Sequence, residues 1–138
     1  MIIEHVAIWC KDIEKMKEFY MKYFGFTEID VYYNAEKDFT LYFLGKGEGK
    51  TRLELMQRKD IPDNPILPGG EQIGVTHIAF STDSRQELID LNDRLAADGY
   101  TIISPPYESG KGKWFESCFL DPEGNRLELS VAPEKMPG

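Results

Sequence analysis

The chain has 138 residues, and its 16 basic and 24 acidic side chains give a formal net charge of −8. This length predicts one domain. The 41% of hydrophobic residues is enough to bury a core and excludes a disordered chain. The acidic balance, without a basic cluster, argues against a nucleic acid or an anionic membrane as a partner. No apolar run is long enough to span a bilayer and no signal-peptide pattern is visible, so we expect a cytoplasmic protein.

The first half of the chain predicts a strand, a helix and further strands. A strand is predicted at Glu4–Ile8, and Asp12 is the expected N-cap of an amphipathic helix. Gly25 suits the left-handed position that follows a helix. Two short strands, 39–44 and 51–56, then flank a glycine-rich turn.

The second half repeats this order. A strand is predicted at 76–80, and Ser84 with Glu87 has the form of a capping box that begins a helix. The helix presents an apolar stripe at Leu88, Leu91 and Leu95. Gly99 ends it, as Gly25 ends the first helix. Two more strands follow, at 114–120 and 126–131.

Each copy therefore predicts a strand, a helix and about three strands, which is an α+β arrangement. We predict a first module at 1–56, an irregular proline- and glycine-rich linker at 57–73, a second module at 74–131 and a tail at 132–138. A module of about 65 residues is marginal alone, so the two copies should pack together as one domain.

The repeat also superposes four polar residues. His5 and His77 are the only histidines, and each lies in the first strand of its copy. Glu54 and Glu128 follow in register, each at the centre of a Leu-Glu-Leu triplet in the last strand. A lone strand histidine is usually structural, and a lone Leu-Glu-Leu is usually an amphipathic strand with its charge in water. Neither interpretation explains why all four positions coincide across the repeat.

Side chains alternate along a strand, so each glutamate points away from its flanking leucines. If the modules pair about a pseudo-twofold axis, two imidazoles and two carboxylates meet on one face. This set is suited to a divalent transition metal, and we predict a metal site formed by His5, Glu54, His77 and Glu128. Because no thiolate belongs to the set, a site with open water positions is favoured over a closed structural zinc site.

Four motifs carry a resemblance to a known family. They are His5 at the start of the first strand, Phe24-Gly25-Phe26, His77 in the segment THIAF, and the segment DPEGNRLEL at 121–129. The chain resembles the glyoxalase / vicinal oxygen chelate superfamily from residue 1 to about residue 131, and its His/Glu/His/Glu set is most similar to that of bacterial glyoxalase I. The resemblance implies paired βαβββ modules that form a cup-shaped, mostly antiparallel sheet with the helices outside.

The resemblance also implies an activity. It implies a lyase or isomerase that acts on the hemithioacetal of a 2-oxoaldehyde such as methylglyoxal, with Ni²⁺, Co²⁺ or Zn²⁺ bound and with Glu128 as both ligand and base. A small-molecule substrate and a homodimer are expected. Trp9 stands where bacterial glyoxalase I has an arginine for glutathione, so glutathione and other thiols both stay open. Alternatives are another metalloenzyme, such as an Fe(II) extradiol dioxygenase or an epimerase, and a non-catalytic protein that sequesters a ligand.

Overall fold

The computed structural model describes residues 1–131, and the predicted tail at 132–138 lies outside the described residues. The elements in chain order are β1 (His5–Trp9), α1 (Ile13–Phe24), β2 (Thr27–Asn34), β3 (Phe39–Gly45), β4 (Arg52–Arg58), β5 (Ile78–Thr82), α2 (Arg85–Ala97), β6 (Ile102–Ser109), β7 (Trp114–Leu120) and β8 (Arg126–Val131). This order confirms the predicted α+β class and the duplicated βαβββ module. No helix within residues 1–131 is long and apolar enough to cross a membrane.

The chain divides into two compact units, Met1–Pro65 and Ile66–Gly138. The first unit has the strand order β1-β4-β3-β2, and the second has β5-β8-β7-β6. In each unit the first strand pairs in parallel with the last one, and the other two pairings are antiparallel. Both sheets are thus mostly antiparallel, as predicted.

In the first unit, α1 packs against β4. The carboxylate of Asp12 accepts a hydrogen bond from the backbone N–H of Lys15 at 3.1 Å, which confirms the predicted N-cap. Gly25 ends the helix with a φ of 70°, a left-handed conformation that glycine adopts without steric cost. The buried face of α1 consists of Ile13, Met16, Phe19, Tyr20, Tyr23 and Phe24.

In the second unit, Ser84 accepts a hydrogen bond from the backbone N–H of Glu87 at 3.1 Å, which confirms the predicted N-cap of α2. The returning bond of the capping box differs from the usual one, because the Glu87 carboxylate accepts from the N–H of Asp83 at 2.8 Å. The buried face of α2 also differs from the prediction. It consists of Leu88, Asn92 and Leu95, and Leu91 is only half-buried.

Candidate metal centre

Glu128 and His77 share one face of the second sheet. In the parallel pairing of β5 with β8, Ala79 lies beside Glu128. His77, predicted within the first strand of its copy, lies just before β5, and its imidazole reaches the face that carries Glu128. The flanking Leu127 and Leu129 point to the opposite face, where they are 0% and 1% exposed. The imidazole Nε2 of His77 lies 3.4 Å from a carboxylate oxygen of Glu128.

The first sheet repeats this register. Ala7 of β1 lies beside Glu54 of β4, so His5 and Glu54 share a face. Leu53 and Leu55 again point to the other face, where they are buried. The side chain of His5 is exposed and that of Glu54 is half-buried. Both polar pairs therefore lie on the solvent-accessible face of their sheet, as the Leu-Glu-Leu pattern predicts.

The structure brings His77 and Glu128 together and places His5 and Glu54 on one face of the first sheet, each pair within one compact unit. Within residues 1–131, no three His, Cys, Asp or Glu side chains lie close enough together to hold a metal ion. The convergence of all four residues on one ion therefore stays a prediction.

The pair in the second unit fits a metal by its donor atoms and by its spacing. Two donors that each lie about 2.1 Å from one ion, at angles between octahedral and tetrahedral, are about 3.0–3.4 Å apart. The His77–Glu128 separation of 3.4 Å lies at the upper end of this range. Neutral imidazole nitrogen and carboxylate oxygen are both ligands that divalent transition metals accept.

The Glu128 carboxyl lies in an environment that favours its protonated form. Burial raises the pKa of Glu128 above its ordinary value, and the nearby Glu116 carboxylate raises the pKa further, while His77 opposes the shift. Glu116 in turn accepts a hydrogen bond from the Tyr107 hydroxyl at 3.3 Å. Sequence reasoning missed Glu116 and Tyr107. Because side chains alternate along a strand, Glu116 lies on the same face of β7 as Cys118. Cys118 pairs with Glu128, so this alternation would have placed Glu116 near Glu128.

Aromatic side chains also lie on the face of the first sheet that carries His5 and Glu54. The ring of Trp9 contacts the ring of Phe39 with centroids 6.0 Å apart, and Phe39 contacts Tyr32 at 6.2 Å. The Arg58 guanidinium lies 5.1 Å from the centre of the Trp9 ring. Trp9 and Tyr32 are 40% and 50% exposed, so this face of the first sheet presents exposed aromatic rings and a guanidinium group.

Comparison with known proteins agrees with this architecture. Residues 2–129 match the family model described as the Glyoxalase/Bleomycin resistance protein/Dioxygenase superfamily. The chain belongs to this superfamily. It is also similar to the Bacillus subtilis protein YwkD, with 32% identity over 127 residues that make up 92% of this chain and 94% of YwkD.

Two solved structures illustrate how far the superfamily likeness extends. A glyoxalase family protein from Enterococcus faecalis has a TM-score of 0.72 and 28% identity, with 94% of this chain and 96% of that chain covered. A lactoylglutathione lyase from Agrobacterium tumefaciens has a TM-score of 0.67 and 20% identity, and the match covers 96% of this chain and 95% of that chain. The second likeness shows the fold alone.

The raised pKa of Glu128 predicts a pH-dependent effect of Glu128→Gln on the metal-free protein. A carboxyl with a raised pKa in the folded state stabilises the fold below its ordinary pKa, and this contribution is lost as pH rises through the folded-state pKa. The glutamine variant stays neutral throughout. Its melting temperature relative to the wild type should therefore increase from about pH 4 to about pH 8.

Differential scanning fluorimetry with a chelator present measures this difference. Glu48→Gln, at an exposed loop position, is the matched control and should show no such trend. A melting-temperature difference for Glu128→Gln that stays constant or shrinks with rising pH would contradict the assigned environment of the carboxyl.

Proposed function

We propose that this protein is a metal-dependent glyoxalase-type lyase or isomerase. Its substrate would be the hemithioacetal of a 2-oxoaldehyde such as methylglyoxal. The observation that carries the proposal is the His77–Glu128 pair at 3.4 Å, together with His5 and Glu54 in the same register of the other unit. Membership of a superfamily with glyoxalases in its description supports the assignment.

His5, Glu54, His77 and Glu128 would hold the metal, and Ni²⁺, Co²⁺ or Zn²⁺ suits two imidazoles and two carboxylates. A bound divalent cation would supply Lewis-acid polarisation of the two adjacent substrate oxygens. The leucines that flank each glutamate pack into the core, which leaves the carboxylates on the opposite face of the sheet, where the substrate would bind.

Glu128 would carry the proton. Its carboxylate would take the proton from the carbon that bears sulfur and hydroxyl and return it to the neighbouring carbonyl carbon, while the hydroxyl proton moves from the first oxygen to the second. The hemithioacetal becomes a 2-hydroxy thioester, so the reaction is an internal redox change that needs no external oxidant or reductant. A proton carrier works best when its pKa approaches the working pH, and burial shifts the pKa of Glu128 upward, which is toward neutral pH.

The proposed substrate is an adduct of a thiol and a 2-oxoaldehyde, and the proposal does not specify the thiol. Glutathione is one candidate. Because β1 has Trp9 rather than an arginine, other thiols are also candidates. We further propose a cytoplasmic homodimer, by resemblance to the superfamily. Sedimentation equilibrium checks the assembly: a mass of twice 15.9 kDa is expected, and a monomer at every concentration would contradict it.

Metal binding should depend on the predicted ligands. Glu54→Gln replaces an anionic ligand by a neutral amide, so Ni²⁺ affinity should fall by at least the ~10–100-fold that loss of an outer-sphere partner typically costs. Isothermal titration of the metal-stripped protein measures this, and excess metal should partly restore activity. The circular dichroism spectrum should not change, because the core residues are on the opposite face.

The control for this titration is Glu48→Gln, which removes the same charge from an exposed loop. Equal Ni²⁺ affinities for the wild type, Glu54→Gln and Glu48→Gln would exclude Glu54 as a ligand.

Steady-state kinetics should distinguish the roles of Glu128 and Glu54. Glu128→Gln keeps an oxygen that can face the metal but cannot accept a proton, so kcat should fall by about 10²–10⁴-fold. Glu54→Gln should act mainly through metal affinity. Steady-state assays with methylglyoxal and several thiols, at saturating metal, measure this contrast.

A different pattern would identify another activity. Oxygen consumption with a catechol, combined with full tolerance of Glu54→Gln, would replace the lyase assignment by a dioxygenase. Ligand binding without any turnover would replace it by sequestration.

A further inference from the structure

A carboxylate neighbour holds the His5 imidazole. The Nδ1 of His5 is hydrogen-bonded to one carboxylate oxygen of Glu4, and the other oxygen of Glu4 accepts a hydrogen bond from the Arg52 guanidinium. The backbone adds a further link, because the N–H of Arg52 donates to the carbonyl of Glu4 at 2.8 Å. Glu4 is thus held by the side chain and the backbone of the same arginine.

Phe43 completes this cluster. The ring of His5 meets the ring of Phe43 edge-on, with centroids 5.7 Å apart and an interplanar angle of 85°. The Arg52 guanidinium lies over the same phenyl ring, 4.2 Å from its centre. Glu4, His5, Phe43 and Arg52 therefore form a closed set of contacts, which we call the His5 cluster. Phe43 is also the antiparallel partner of Glu54, so the cluster adjoins the predicted ligand on β4.

These contacts select one tautomer of the imidazole. An ionised carboxylate can only accept hydrogen bonds, so His5 must donate through Nδ1–H. In the neutral ring the lone pair then resides on Nε2. An imidazole that donates Nδ1–H to a carboxylate and ligates through Nε2 is a recurrent arrangement at metal sites, where the carboxylate fixes the tautomer and the ring orientation.

The second histidine lacks this arrangement. Thr76 precedes His77, at the position that Glu4 occupies relative to His5. The contact described for the His77 ring is the one between its Nε2 and Glu128. Within residues 1–131, no carboxylate is bonded to the Nδ1 of His77. The two histidines, which occupy matching positions in the sequence repeat, therefore differ in how their rings are held.

We propose that Glu4, held by Arg52, is a positioning residue that fixes His5 in the Nδ1–H tautomer with Nε2 available for a metal. This inference rests on the proposed function, because it assigns the residue that orients one of the proposed ligands. It assigns no such partner to His77. The two histidines should consequently respond differently when the residue before each one is replaced.

Nitrogen NMR of the ¹⁵N-labelled, metal-free protein tests the tautomer directly. The chain has only two histidines, so two ring systems are observed. In the neutral form of its ring, His5 should be the Nδ1–H tautomer. Glu4→Ala should remove this preference, and the control Thr76→Ala should leave both rings unchanged. An Nε2–H tautomer of His5 in the wild type, or an unchanged tautomer in Glu4→Ala, would overturn the proposal.

Metal affinity supplies the second readout. Glu4→Ala should weaken Ni²⁺ binding by about 10–100-fold, as loss of an outer-sphere partner does. Glu4→Gln keeps an acceptor oxygen without the charge and should fall between Glu4→Ala and the wild type. Equal affinities in all three proteins would overturn the positioning role. If the wild type binds no metal, the proposed function fails, and the tautomer experiment still decides whether Glu4 orients His5.

Discussion

Parallel pairing of β1 with β4, and of β5 with β8, decides which side chains share a face in each unit. The pairing places Ala7 beside Glu54 and Ala79 beside Glu128, and each histidine lies two residues before its alanine. Because side chains alternate along a strand, His5 and Glu54 emerge on the same side of the first sheet. His77 lies just before β5, and its imidazole contacts Glu128 at 3.4 Å. The grouping of one histidine with one glutamate in each unit follows from this register.

Packing of leucine side chains holds the register in place. The leucines on either side of each glutamate are almost fully buried, and burial of one leucine stabilises a fold by about 1.5–3 kcal/mol. A slip of one residue would exchange buried leucine for glutamate in both cores. The same packing withdraws part of the Glu128 carboxyl from water and places it near Glu116, which explains the upward direction of its pKa.

The predictable part of the site was the part set by local sequence. The repeat, the helix caps and the alternation of Leu-Glu-Leu are properties of short segments, and the structure confirms them in Asp12, Ser84 and the two triplets. The buried face of α2 was predicted less well. Asn92 replaces Leu91 there, because positions four and three residues apart both fit a helical stripe and tertiary packing chooses between them.

The missed residues depend on strand neighbours that are distant in the sequence. Glu116 reaches the site through the pairing of β7 with β8, and Arg52 reaches Glu4 through the pairing of β1 with β4. Neither contact has a local signature. The order of strands in a sheet must be known before such neighbours can be named, and one sequence does not specify it.

A crystal structure of the Ni²⁺-loaded protein, with anomalous scattering recorded at the nickel edge, tests the central claim most directly. The account predicts one ion per His/Glu/His/Glu set, with nitrogen atoms of His5 and His77 and carboxylate oxygens of Glu54 and Glu128 at about 2.0–2.2 Å. Nickel bound elsewhere, or bound by only one of the two pairs, would contradict the account.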